Sequence, residues 1–139
     1  MRIEAFSHPK ARDLSVPADD VMVHVPGRMT AVFDGATDAH GRYLSGVPIG
    51  RLAAMTAAEE AASLPAEAID WPKERILSRL SAALARHLPE MAEGAPASTT
   101  AMIAFEGSGH VRLVGLGDTG YRVNGERAEV AELPPDLAS

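Results

Sequence analysis

Met29-Thr30-Ala31-Val32-Phe33-Asp34-Gly35 is an apolar run that closes on an aspartate and a glycine. Its β-branched and aromatic residues predict a strand, and Asp-Gly predicts the end of that strand. A second run, Val111-Arg112-Leu113-Val114-Gly115-Leu116-Gly117-Asp118-Thr119-Gly120, closes in the same way. A strand that delivers an aspartate and then turns at glycine can hold a metal ion at the end of a sheet. The carboxylate is a hard oxygen ligand, and glycine lets a backbone carbonyl approach the same ion. The same dipeptide also serves as a plain turn after a strand. The order of elements around each run therefore decides its meaning.

Upstream of the first run, Val21-Met22-Val23-His24-Val25 is rich in β-formers, and Pro26-Gly27 is a turn signal. The two runs make a hairpin that pushes Asp34 out at its end. Arg2 to Ser7 alternates in polarity and reads as a further short strand, joined by an irregular connection from His8 to Asp20. Downstream, Asp38 to Gly46 reads as a loop. Pro48 to Ser63 reads as an alanine-dense helix with Pro48 in its first turn, Leu52, Met55 and Ala62 near one face, and Pro65 at its end. Asp70 to Leu88 is the clearest helix: Asp70 suits its cap, and Ile76, Leu77, Leu80, Leu84 and Leu88 form one apolar stripe. Pro89 and Gly94 bracket its exit.

From Ser98 the period changes to two. Thr99 to Phe105, Val111 to Leu116, Tyr121 to Val123 and Glu126 to Leu133 read as strands of an antiparallel meander, with Asn124-Gly125 a hairpin turn. The tail from Pro134 cannot continue a strand. Strands, two helices and a meander define an α+β fold: an antiparallel sheet, half of a β-sandwich, packed against an antiparallel pair of helices. A half-sandwich expects something to cover its open face, and Ala101, Ile103, Phe105, Leu113 and Leu116 are the residues expected to line that face.

The bulk composition narrows the function. A chain of 139 residues suits one domain, 1–139, with one core. The net charge of −6 argues against nucleic acid and anionic membrane as partners and suits a site that collects divalent cations. With no cysteine, thiol nucleophiles and zinc thiolate sites drop out, and a reducing, cytoplasmic compartment is expected. Neither a leader at Met1–Phe6 nor a run of roughly twenty apolar residues is legible. The histidines His8, His24, His40, His87 and His110 lack metal-ligand spacing, and Gly115-x-Gly117 is not a phosphate loop leading into a helix.

The carboxylates to weigh are Asp19, Asp20, Asp34, Asp38 and Asp118. Asp19-Asp20 precedes one strand of the first hairpin and Asp34 follows the other, so the three acids can converge. Like charges that close repel unless a cation neutralises them.

These residues resemble a family. Ala31-Val32-Phe33-Asp34-Gly35 is similar to the "VFDG" segment of the metal-dependent type 2C (PPM-type) serine/threonine protein phosphatases, and Ala18-Asp19-Asp20 to the acidic pair of that family's first motif. Ala97-Ser98-Thr99-Thr100-Ala101 resembles its "GSTA" strand start, and Gly115-Leu116-Gly117-Asp118-Thr119-Gly120-Tyr121 its "VGDSRAY" hairpin. The resemblance covers the N-terminal half of the family's fold. It implies Asp34 as the catalytic-centre carboxylate bridging two ions, Mn²⁺ or Mg²⁺. Gly35 would offer its carbonyl to one ion, Asp19 would coordinate the same ion, and Asp20 would support it. The implied activity is hydrolysis of phosphoserine or phosphothreonine esters on a phosphoprotein, through water activated by the two metals. Asp118 would be structural, capping the corner at Gly117–Gly120.

The chain also departs from that pattern. Ser15 stands where the family carries its phosphate-gripping arginine, the nearest arginine being Arg12, and Ala36 stands where some members carry a histidine. The family's remaining metal aspartates come from a C-terminal half with no counterpart here. A missing segment of that kind, or self-association, is therefore an expected partner for the open sheet face. A catalytically inactive phosphatase-like (pseudophosphatase) binding or regulatory module is the alternative, and a plain α+β scaffold the third reading.

Overall fold

The computed structural model of the chain describes residues 2–9, 15, 18–88, 96–118, 120–123 and 126–129. Its centre is a four-stranded antiparallel sheet in the order β1-β2-β5-β6: β1 (Asp20–Val25), β2 (Met29–Gly35), β5 (Thr99–Glu106) and β6 (Val111–Leu116). Two helices, α1 (Ile49–Ala62) and α2 (Lys73–His87), lie between β2 and β5 in sequence. The fold is α+β.

Alternation decides which residues of the sheet meet the helices. Met29, Ala31 and Phe33 of β2 stand in register with Phe105, Ile103 and Ala101 of β5, and the two rows are buried together with Val114 and Leu116 of β6. Burying one such side chain contributes roughly 1.5–3 kcal/mol. The opposite faces of these strands carry Met22 and Val32, which are 40% and 45% exposed, in line with Met102. This corrects the expected open face. Ala101, Ile103, Phe105 and Leu116 belong to the helix-side core, while Leu113, opposite Ala104, lies on the other side. Side chains alternate with a period of two, so Leu113 and Leu116, three residues apart, cannot share a face.

Helix α1 buries its smallest residues: Gly50, Ala53, Ala54, Ala57, Ala58 and Ala61 all face inward, while Leu52, Met55 and Ala62 are only half-buried. With so little side chain in the way, its backbone comes close to β2. Pro48 is not in its first turn. It occupies the N-cap and the end of a small hairpin, β3 (Tyr43–Leu44) and β4 (Val47–Pro48), whose first strand and turn fall in the stretch expected to be a loop. Ser45 (φ 51°) and Gly46 (φ 78°) make its turn, both in the left-handed region that a tight hairpin favours.

Helix α2 begins three residues later than expected. Asp70 does not cap it but ends a 3₁₀ turn, Ala66–Asp70, and Pro72 holds the N-cap without a side-chain hydrogen bond. Ile76, Leu80 and Ala83 are buried, with Leu77, Leu84 and Leu88 half-buried beside them. Trp71, just before this helix, is buried. The Arg75 guanidinium lies 3.7 Å from its ring centroid, and Arg112 of β6 donates to the Ile69 and Trp71 carbonyls at 2.6 Å each.

Residues 2–9 form no strand, and all but Ile3 and Pro9 are exposed, so the expected strand at Arg2–Ser7 is absent. The last hairpin pairs β7 (Gly120–Val123) with β8 (Glu126–Glu129). Asn124-Gly125, Pro89, Gly94, most of the 8–20 connection, the continuation of the last strand to Leu133 and the tail from Pro134 lie outside the described residues. Among the described residues no helix is long and apolar enough to cross a membrane.

Candidate functional site

The site is built at the corner where β2 ends, β1 and β5 begin, and α1 starts. Asp34 is exposed one residue before the end of β2, directly opposite Asp20 in the β1–β2 ladder. Two carboxylates in one register position of an antiparallel pair repel each other. Asp19, half-buried, precedes them, and its carbonyl accepts the Gly35 N–H at 3.3 Å. On the other flank, Asp34 stands opposite Thr100 of β5.

Several contacts pin this corner. The Thr99 hydroxyl donates to the Asp34 carbonyl at 2.9 Å, and the Ala36 N–H donates to the Ser98 carbonyl at 2.9 Å. The Ser-Thr-Thr strand start therefore fixes the backbone on both sides of Gly35. Arg51 of α1 donates to the carbonyls of Ala18 (2.6 Å) and Asp20 (3.3 Å), fixing the chain as it enters β1. Gly35 itself is buried. A Cβ there would lie 2.2 Å from the Gly50 carbonyl oxygen and 2.8 Å from that of Asp19, and a Cβ on Gly50 would lie 2.2 Å from the Ala36 carbonyl oxygen. Two glycines thus allow the first turn of α1 to rest on the end of β2.

A cleft of about 240 Å³ opens here. Asp19, Asp20 and Asp34 line it together with Asp38, Arg42, Tyr43 and His8. Gly50 also lines it, so the first turn of α1 forms part of its wall. Asp38 is committed elsewhere: it accepts from Arg42 Nε at 2.8 Å, from Nη2 at 2.9 Å and from the Arg42 backbone N–H at 2.6 Å. The hydrogen bonds from the Arg42 side chain hold its carboxyl well below the ordinary carboxylate range, against a lesser upward push from desolvation. Asp38 raises the Arg42 guanidinium in return. His8, Arg42 and Tyr43 carry no local sequence signal that places them in the wall.

The donor chemistry suits a hard cation of a particular kind. Among the described residues no group of three acidic or histidine side chains is placed so that it could hold a metal ion. Magnesium and manganese, however, keep most of their water and are held by one or two carboxylates, which is what Asp20 and Asp34 offer. The Thr100 hydroxyl oxygen, in the same cross-strand row, is buried without a hydrogen-bond partner. Thr100 does not line the cleft, so the donors that the cleft offers a hydrated divalent ion are its carboxylates.

The corner at Gly117 is different. Gly117 has φ +89°, and a Cβ there would lie 2.6 Å from Thr100 Cγ2. Asp118 beside it is exposed and does not line the cleft. Thr119, in the middle of the expected cap, lies outside the described residues. Comparison of the chain with protein-family models, with curated proteins and with solved structures finds no match.

Proposed function

We propose that this chain is a metal-dependent phosphatase domain of the type 2C kind, acting on phosphoserine or phosphothreonine esters of a phosphoprotein in the cytoplasm. The observation that carries the reading is the facing of Asp20 and Asp34 across one register position, in a cleft also lined by Asp19. A sheet that holds two carboxylates opposite each other gains from a cation between them. Asp34 and Asp20 would hold Mn²⁺ or Mg²⁺, with Asp19 and the Gly35 carbonyl completing the donor set. A divalent ion held there would supply charge neutralisation for phosphoryl oxygens and would acidify water. The chain's own part is rigidity: Thr99, Ser98 and Arg51 hold the backbone that carries the acids, so the carboxylates need no reorganisation when charge develops. With no cysteine, a thiol phosphoenzyme has no place in the reaction.

A second reading, a catalytically inactive phosphatase-like binding module, is favoured by Gly35. Packing against Gly50 accounts for that glycine without any ligand. One experiment separates the two: Mn²⁺-dependent hydrolysis of a small aryl phosphate by the wild-type chain and by Asp34→Ala. Turnover that vanishes in the variant and in chelator supports the enzyme. A folded, manganese-treated wild type with no turnover supports the binding module.

A further inference from the structure

We infer that the outer edge of β1 pairs with the same edge of a second copy of this chain, antiparallel and centred on Met22, so that two sheets join into one across a two-fold axis. Pairing through β1 is independent of what the cleft binds.

β1 is an edge strand, and among the described residues no strand lies on its outer side. The hydrogen bonds of the β1–β2 ladder decide which backbone groups are turned outward. The Gly35 N–H donates to the Asp19 carbonyl, so residues 19 and 35 form a hydrogen-bonded pair of the antiparallel ladder. Such pairs recur at every second residue. That commits Val21 and Val23 to β2 and turns the N–H and C=O groups of Asp20, Met22 and His24 to the open edge. Proteins blunt an open edge with proline, lysine or a bulge. β1 has none of these: it reads Asp-Val-Met-Val-His-Val, and its ladder with β2 runs without a break from Asp20 to Val25.

The sequence of β1 is its own complement. An antiparallel pair centred on Met22 sets Asp20 opposite the partner's His24, Val21 opposite the partner's Val23, and Met22 opposite the partner's Met22. The even-numbered pairs then exchange both of their outward N–H···O bonds, so this register uses the groups that β2 leaves over. The Asp20 carbonyl also accepts from Arg51 at 3.3 Å and keeps a second lone pair for the ladder. On the outer face an aspartate meets a histidine at both ends, and opposite groups in register stabilise a sheet. His24 Nδ1 lies 2.9 Å from the Thr30 hydroxyl oxygen. In the tautomer whose Nδ1 accepts from that hydroxyl, Nε2–H donates to a carboxylate. On the inner face Val21 and Val23, half-buried against the core, continue it across the axis. A slip of two residues either way sets Asp20 against Met22 or Pro26 and loses both polar pairs. Main-chain hydrogen bonds supply the affinity of such a contact, and the two-fold axis makes it self-complementary. An edge-to-edge contact is small beside the ~1,600 Å² of a standard interface, so the dimer is weak and concentration-dependent.

Sedimentation of the full chain from micromolar to millimolar concentration tests this, with a single-cysteine cross-link as the direct readout. Because the chain has no cysteine, Met22→Cys forms a disulfide only with a second copy. A hydrogen-bonded antiparallel pair holds its Cα atoms about 5.5 Å apart, within the disulfide range. The expected result is a reversible dimer in the wild type and rapid cross-linking of Met22→Cys. Val32→Cys, exposed on the same face but one strand further in, should cross-link about tenfold more slowly. Met22→Lys should weaken the dimer about tenfold or more, because two like charges meet on the axis. Met22→Pro deletes an outward N–H and spares the β1–β2 bonds, so it should act at least as strongly. Met22→Lys carries the test if the proline variant fails to fold. His24→Asp should weaken the dimer about tenfold, and the exchanged double variant Asp20→His/His24→Asp should recover to within about threefold of wild type. A wild type that stays monomeric at every concentration overturns the inference. So does a dimer untouched by folded Met22→Lys, or an exchanged variant that recovers nothing. Faster cross-linking of Val32→Cys than of Met22→Cys also overturns it, because the sheets would then stack face to face.

Discussion

Asp34-Gly35 and Gly117-Asp118 both close a strand of the same sheet, yet they are held by different forces. Gly35 is buried inside the ladder, and its missing side chain is a matter of space: the Gly50 and Asp19 carbonyl oxygens occupy the room a Cβ needs. Gly117 is a matter of conformation as well, since its φ of +89° is one that only glycine adopts without strain. The first corner brings an acid opposite another acid, in a cleft beside the start of a helix. The second leaves its acid exposed and away from that cleft. A dipeptide takes its role from what packs against it.

The contrast can be broken most sharply at the two aspartates. If the chain turns over an aryl phosphate with Mn²⁺, Asp34→Ala should lower kcat about a thousandfold, roughly 4 kcal/mol of transition-state stabilisation. Asp118→Ala should leave kcat within about twofold, a difference of less than ~0.5 kcal/mol. Equal losses in both, measured on folded protein, would erase the functional asymmetry. Next in size is Gly35→Ala. Backbone oxygens on two sides cannot yield as a flexible side chain does, so the variant should lose about 3 kcal/mol or more by urea unfolding. A loss below ~1 kcal/mol would mean that α1 moves off β2 easily.

Gly117→Ala should cost about 1–2 kcal/mol, the usual penalty for a side chain in the left-handed region. Because its Cβ also meets Thr100 Cγ2, the penalty should shrink in a Thr100→Ser background, which lacks that methyl group. A double-mutant cycle with zero coupling would leave only the backbone term. Between the two corners, Asp38 supplies a pH signature. Its folded pKa is depressed, so its contribution to stability is fully present above the ordinary value of 3.8 and fades as pH falls below it. Thermal melts from pH 7 down to 2 should show this acid limb in the wild type and lose it in Asp38→Asn. The smallest effect belongs to Thr100→Val. Removing a buried hydroxyl without a partner should be neutral or stabilise the metal-free chain by up to about 1 kcal/mol. A loss of more than ~1 kcal/mol would show that the hydroxyl has a partner after all.

Much of this was legible in the chain itself. The period of two in β2, β5 and β6, the three-and-four spacing of Ile76, Leu80 and Leu84, and the turn at Pro26-Gly27 determine which segments are strands and which is the long helix, because those patterns reflect backbone geometry. The hairpin alone places Asp20 beside Asp34. The tertiary structure decided the rest. Both alternating sets of β5 are apolar, so nothing local says whether Ala101, Ile103 and Phe105 or Met102 and Ala104 meet the helices. The small inward face of α1 settles it. The β3–β4 hairpin is too short for any periodic signal, and its left-handed Ser45 is legible only once the turn is built. Arg42 enters the cleft because Asp38 folds the loop back onto it. Gly35 is required because a helix from fourteen residues further on lands on its backbone. Local pattern sets the elements. Which atoms share a space depends on packing between segments distant in sequence, and the candidate site lives at that level.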